Sequence, residues 1–162
     1  MLAEWSEIDL ENALWTIPGP RTKTFKDHVV PLSDLAVEIL EEQLQLTGGR
    51  RWVFASPNKD FTAPMLASAV SQAVNDNYVK LKIPKFVPHD LRRTLRSRLS
   101  ALGVDHIVCR KVLNHSLEGM DAIYDRHDYV EEKRDALQRW ADALRRILDK
   151  DTTVVSIASA AR

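Results

Sequence analysis

The stretch "HDLRRTLRSRLSALG", His89 to Gly103, carries Leu91, Leu95 and Leu99 at every fourth position, the spacing of one helix face. Arg92, Arg93, Arg96 and Arg98 fall between them, and Gly103 can take the left-handed conformation that ends a helix. The pattern predicts an amphipathic helix held to a core by its leucines. Its basic side is either a surface that meets a polyanion or the floor of a reactive site.

Working outward, helices dominate. Asp105 to Leu113 reads as a short helix, with Asn114 able to close its turn in the left-handed conformation. A long helix begins near Tyr129, with Val130, Leu137, Trp140, Leu144 and Leu148 on one stripe and Glu131 and Glu132 where the helix dipole favours acids. Beyond Lys150, "DTTVVSIASAAR" turns to small and β-branched residues and reads as a loose tail or a strand for a neighbour's sheet edge. Upstream, "NYVKLKIPKFVP" is a basic, proline-broken connector, preceded by a helix opening at Pro64 and running towards Tyr78, with Leu66, Val70, Ala73 and Val74 inward. "WVFAS", residues 52–56, reads as a short strand. "SDLAVEILEEQLQLTGG" reads as a helix capped by Ser33, with Leu35, Ile39, Leu40 and Leu44 on one face and Gly48 or Gly49 at its stop. "ALWTI" and "HVVPL" form a β-hairpin across the loop "PGPRTKTFKD". The fold is therefore mainly α with a small antiparallel β-sheet near the N-terminus. Its 162 residues suit one domain over 1–150, followed by a tail over 151–162.

No apolar run approaches the roughly 20 residues that span a bilayer. The N-terminus lacks the basic start and apolar stretch of a secretory signal, and the lone Cys109 has no internal disulfide partner, so the expected compartment is a reducing cytoplasm. The formal net charge is zero, yet the charge is segregated. Residues 78–111 carry nine Lys/Arg against two Asp, a net of +7, whereas residues 1–50 carry four against nine acids, a net of −5. One side should be electropositive and suited to a polyanion, although a basic block is also what an ordinary solvated helix face looks like.

Gly-rich phosphate loops, paired cysteine ligands and HExxH are absent, and His89, His115 and His127 have no acidic or thiol partner at ligand spacing. No metal or cofactor is expected. What the chain does offer, in order, is Lys23, His89 and Arg92 in "HDLRRT", His115 in "LNH", and a phenol from Tyr78, Tyr124 or Tyr129. Such a set suits metal-free phosphoryl transfer. A phosphodiester under attack accumulates negative charge on its non-bridging oxygens, and fixed cationic donors can stabilise it where no metal does. Arginine's planar fork holds two of those oxygens at once. A tyrosine needs a base or a positive field to lose its proton, and a lysine can protonate a leaving oxygen.

The ordered set "TKT…HVVPLS", "HDLRRT", "LNH" and "AIYDRHDY" resembles the catalytic domain of tyrosine recombinases, the phage-type integrases, and the C-terminal pattern is similar to those of prophages and genomic islands. The intervals match too, 23 residues from Arg92 to His115 and nine more to Tyr124. The resemblance implies the tyrosine-recombinase fold and a set of roles. Tyr124 would attack the scissile phosphate to give a 3′-phosphotyrosyl link, with no ATP and no cofactor; Tyr129 would instead anchor its helix. Arg92 would clamp the phosphate, His89 would accept a proton or donate to phosphate, His115 would hydrogen-bond a non-bridging oxygen, and Lys23 would protonate the 5′-oxygen. Lys80, Lys82, Arg93 and Arg96 would meet flanking phosphates of double-stranded DNA. It further implies a homotetramer on attachment sites for a full-length protein and a monomer for this chain alone.

The family's site also holds an arginine on a helix just upstream of the segment matched by "EWSEIDL", and a core-binding domain before that. Neither has a counterpart in these 162 residues, Arg21 lying on the hairpin loop instead. The expectation is an N-terminally truncated catalytic domain whose cleavage is impaired by about 2–4 kcal/mol, the scale of losing one oxyanion donor. The alternatives are a DNA-binding or interaction fragment that keeps the fold without turnover, and a helical regulator unrelated to recombination.

Overall fold

The computed structural model describes residues 2–80, 82–115 and 127–159, from residue 150 onward as the course of the backbone alone. The hairpin read from "ALWTI" and "HVVPL" is present as β2 (Leu14–Ile17) and β3 (His28–Pro31), antiparallel with Thr16 opposite Val29. A two-residue strand, β1 (Ile8–Asp9), adds to β2 and gives the order β1-β2-β3. Pro31 closes β3, an edge strand, where a missing N–H costs the ladder least. Helix α1 (Asp34–Thr47) follows, its first turn capped by the Ser33 hydroxyl accepting from the Ala36 N–H at 3.4 Å. Of its expected inner face, Leu35 and Leu40 are partly buried while Ile39 and Leu44 are exposed.

Residues 52–56 do not form a strand. Single bridges join Glu4 to Trp52 and Ala55 to Pro64, and the Val53 N–H donates to the Ala3 carbonyl at 3.0 Å. Neither bridge extends into a ladder. The same pairing delays the next helix. Because Ser56 and Met65 donate to the carbonyls of Ala63 and Phe54, residues 63–65 are held extended, and α2 (Ser68–Asn77) begins four residues after Pro64 rather than at it. No α2 residue is buried; Leu66 and Val70, expected inward, are 75% and 36% exposed.

The core lies beyond. Helix α3 (Pro88–Ala101) starts with Pro in its first turn, and the Asp90 carboxylate accepts from the Val87 N–H at 3.0 Å. Gly103 ends it at φ +74. Helix α4 (His106–Val112) is capped by Asp105, which accepts from the Ile107 N–H at 2.7 Å, and α5 (Val130–Ser159) completes the unit. Leu99, Val108, Cys109 and Ala136 form the buried cluster, with Leu95, Val104, Val112, Tyr129 and Trp140 packed against it. Leu91 is 57% exposed, so α3 is held by Leu95 and Leu99 without it. Helix α5 also lies along β3. There it buries Lys133, 5% exposed, whose ammonium donates to the Val29 carbonyl at 2.6 Å.

The segment after Lys150 is not a strand through Ser159: its backbone continues α5 as helix. Threonine, valine and isoleucine each cost only tenths of a kcal/mol in a helix, roughly, and extending an existing helix avoids the nucleation penalty. No helix among the described residues is long and apolar enough to cross a membrane.

Candidate active site

Three elements converge on a cavity of about 550 Å³ lined by Lys23, Thr24, Arg96, His106, Arg110, Asn114 and His115. Lys23 comes from the β2–β3 loop, which is braced by its own polar groups. The Asp27 carboxylate accepts from the Gly19 N–H at 2.8 Å, and the Thr22 hydroxyl donates to the carbonyls of Gly19 and Lys26 at 3.0 and 2.9 Å. Gly19 is required here because a Cβ would stand 2.6 Å from the Phe25 carbonyl oxygen. The loop therefore presents an exposed lysine from a fixed base.

His115 comes from the end of α4. Asn114 adopts the left-handed conformation, φ +51, as its sequence position suggests, and the His115 N–H turns back to the Arg110 carbonyl at 2.9 Å. His106, Arg110 and Asn114 are spaced four apart and so share one face of that turn. Arg92, on α3, donates to the Leu113 carbonyl, one residue before Asn114. Arg96, one turn further along α3, reaches the cavity and donates to the Ser100 hydroxyl at 2.5 Å.

The electrostatics are one-sided. The His115 imidazole is held below the ordinary histidine pKa, first by partial burial and then by the positive field of Arg92, Arg110, Arg96 and Lys23. None of the described side chains that line it is acidic. Such an arrangement favours the neutral His115 imidazole, able to donate one N–H, and gathers positive charge suited to an anion.

The expected site residues are thus partly assembled. Lys23, Arg92, Arg96 and His115 come together. His89 stands exposed in the first turn of α3 and is not among the side chains lining the cavity. Arg93 is exposed and pairs with Asp90 at 3.4 Å, and Lys80 and Lys82 are exposed on the connector after α2, away from the cavity lining. Tyr124 lies outside the described residues. The other two tyrosines are engaged elsewhere: Tyr129 packs on the core with the Lys111 ammonium 4.8 Å from its ring centroid, and Tyr78 lines the groove beside α2. Sequence reasoning missed Thr24, His106 and Arg110. The i, i+4 spacing of His106 and Arg110 on the helix leading to His115 was the available signal. Among the described residues, no three His, Cys, Asp or Glu side chains are grouped to hold a metal ion.

The family model described as the phage integrase family matches residues 2–131. Prophage integrase IntA of Escherichia coli is 34% identical over 88% of this chain and 34% of its own length, and prophage integrase IntZ of the same organism is 32% identical over 91% and 36%. A tyrosine recombinase of Thermosipho africanus is 30% identical over 70% of the chain and 39% of its own length. The chain spans about a third of the length of the curated relatives it matches. No solved structure matches it. With the match covering the hairpin, α3 and α4, the elements that build the cationic cavity, the chain belongs to the phage integrase family.

Proposed function

We propose that the chain is the catalytic domain of a site-specific DNA recombinase that cuts and rejoins DNA through a 3′-phosphotyrosyl bond. The observation that carries this reading is the convergence of Lys23, Arg96, Arg110 and His115 on one cavity, with Arg92 adding to the positive field on His115. Such a site fits a phosphodiester whose charge grows in the transition state.

In this mechanism the Tyr124 oxygen attacks phosphorus as its proton passes to His89. The P–O bond to the 5′-oxygen breaks, and Lys23 supplies the proton that oxygen needs. Arg92 and neutral His115 hold the non-bridging oxygens. Rejoining runs the same steps backwards, so the bond energy is conserved and no nucleotide cofactor or metal is consumed. Lys80, Lys82 and Arg93 meet phosphates flanking the cut, and Arg96 meets one beside it. The full-length protein works in the cytoplasm as four protomers on two attachment sites, with residues 1–150 as the catalytic unit and 151–162 available for a neighbour.

A nicked duplex carrying the attachment sequence, drawn from DNA flanking the protein's own coding sequence, tests the reading. A covalent adduct that accumulates slowly, as the missing arginine implies, is expected from the native chain and none from Tyr124→Phe. An adduct that survives Tyr124→Phe overturns the assignment, and DNA binding without any adduct makes the chain a binding fragment. Affinity for duplex DNA should fall steeply with salt, and the double variant Lys80→Gln/Lys82→Gln should flatten that slope by about 0.9 per lost phosphate contact.

A further inference from the structure

Arg21 stands two residues before Lys23 on the hairpin loop and takes no part in the chemistry just described. It is not among the side chains lining the cavity, whereas Lys23 and Thr24 are. Its guanidinium pairs instead with the Glu7 carboxylate and donates to the Leu2 carbonyl. Glu7 ends the short 3₁₀ turn Trp5–Glu7 that leads into β1, and only 9% of its side chain is exposed. The carboxylate oxygen that meets Arg21 also accepts the Trp15 indole N–H from β2 at 3.2 Å. Glu7 is therefore held at the sheet and largely shielded from water, where a charge depends on its partner. On the loop side, the Arg21 N–H donates to the Pro18 carbonyl at 3.0 Å, the Thr22 N–H to the Gly19 carbonyl at 2.9 Å, and the Phe25 N–H to the Thr22 carbonyl at 3.4 Å. Lys23 thus rides on a loop closed on itself, and Arg21 ties that loop to the sheet.

We propose that Arg21 is a positioning residue for Lys23: through Glu7 it fixes the hairpin loop on the sheet and so sets where the Lys23 ammonium meets the leaving 5′-oxygen. The inference rests on the reading that Lys23 protonates that oxygen. Lysine is a flexible four-carbon stem with a point charge at its tip, and an exposed one takes its aim from the backbone that carries it. A general acid is worth about 10²–10⁴-fold in rate, and a misplacement of about 1 Å can cost on the order of a hundredfold. A loop anchored two residues from the acid therefore matters to the proton transfer. Arg21 does not stand in for the arginine that the family's site holds upstream, because its guanidinium is committed to Glu7. Its charge serves the loop and not the phosphate, and the two roles predict different kinetics.

The test compares two nicked attachment duplexes, one with the ordinary 5′-oxygen at the cut and one in which sulfur replaces it. Tyr124 forms the same P–O bond with either, and the bond that breaks is P–O in the first and P–S in the second. A thiol has a pKa of about 8.5, so sulfur departs as a thiolate without the proton that oxygen needs. Lys23→Ala should therefore slow single-turnover adduct formation about a hundredfold on the oxygen duplex and less than about threefold on the sulfur duplex. Arg21→Met should follow the same pattern, about tenfold slower or more on oxygen and within about threefold of native on sulfur, with duplex affinity kept within about threefold. The double variant Arg21→Met/Lys23→Ala should be no slower on oxygen than Lys23→Ala alone, since both changes act on one proton. Equal losses on both duplexes, as a phosphate clamp or a general folding defect gives, overturn the proposal, as does a native rate on oxygen. Should Arg21→Met not fold, Glu7→Gln decides by the same comparison: it keeps an acceptor for Trp15 but no charge for Arg21, and its loss should be confined to oxygen. If the native chain forms no adduct with either duplex, the recombinase reading fails, and amide exchange in the folded variant decides what Arg21 does. The Thr22 and Phe25 amides, which close the loop, should then exchange about tenfold faster while that of Cys109 in α4 keeps its native rate, and unchanged exchange at Thr22 and Phe25 overturns the proposal.

Discussion

Two stretches of this molecule carry the same kind of amphipathic pattern and come to different ends. In α3, α4 and α5 the apolar positions close on one another, and Leu99, Val108, Cys109 and Ala136 are buried. Along α2 and the residues flanking it, Leu66, Val70 and Val79 stay exposed beside a groove lined by Met65, Val74, Tyr78, Ile83 and Phe86. Periodicity tells which face of a helix is apolar. Whether that face is covered depends on what the rest of the chain brings to it, and the difference should be measurable as stability.

Leu99→Ala should break the packed side most severely. Its side chain is 0% exposed, and removing it should lower the unfolding free energy by about 3 kcal/mol in urea titration, through lost transfer energy and the cavity left behind. Thr47→Val comes next. The buried Thr47 hydroxyl donates to the Val53 carbonyl at 2.9 Å and accepts from the Trp5 indole at 3.3 Å, and leaving that indole unsatisfied should cost about 1–2 kcal/mol. A third comparison uses pH. Burial, Lys133 and Arg92 lower the folded-state pKa of His28, so the unfolded chain binds the proton more readily. Stability should therefore be fully present above the ordinary histidine value of about 6.5 and should fall as the pH drops below it, less steeply in His28→Gln. The smallest effect belongs to α2: Val70→Ala removes a half-exposed side chain but improves helix propensity, and stability should change by less than about 0.5 kcal/mol. A loss of 2 kcal/mol or more there would mean that this face is covered in solution.

What could be read from the sequence follows the same division. The Ser33 and Asp105 caps, the Gly103 stop and the left-handed Asn114 all depend on residues within one turn, and each is found where local chemistry puts it. The segment 52–56 and the start of α2 were misread because their backbone partners are Ala3 and Phe54, which no local pattern announces. The site divides likewise. Arg92 and His115 were legible from the order and spacing of short motifs, and Lys23 from the hairpin loop that carries it. The brace behind the hairpin was not, since the bond from Lys133 to Val29 joins residues 104 apart in sequence. Arg110 and His106 stand between these cases, on the right helix at the right spacing but without a motif of their own. Tyr124, the proposed nucleophile, lies outside the described residues.

Cys109 gives the packed unit a built-in clock. It is the one cysteine of the chain, and its thiol is sealed between α3, α4 and α5, so a thiol reagent can reach it only when that unit opens. Where opening is fast and reversible, the labelling rate reports the population of the open form. DNA that binds only the closed form should slow labelling in proportion to 1 + [DNA]/Kd, about a hundredfold at a hundred times Kd. A single mass shift on an otherwise native chain would then report how tightly the duplex is held, with no need to know the sequence at which it is cut.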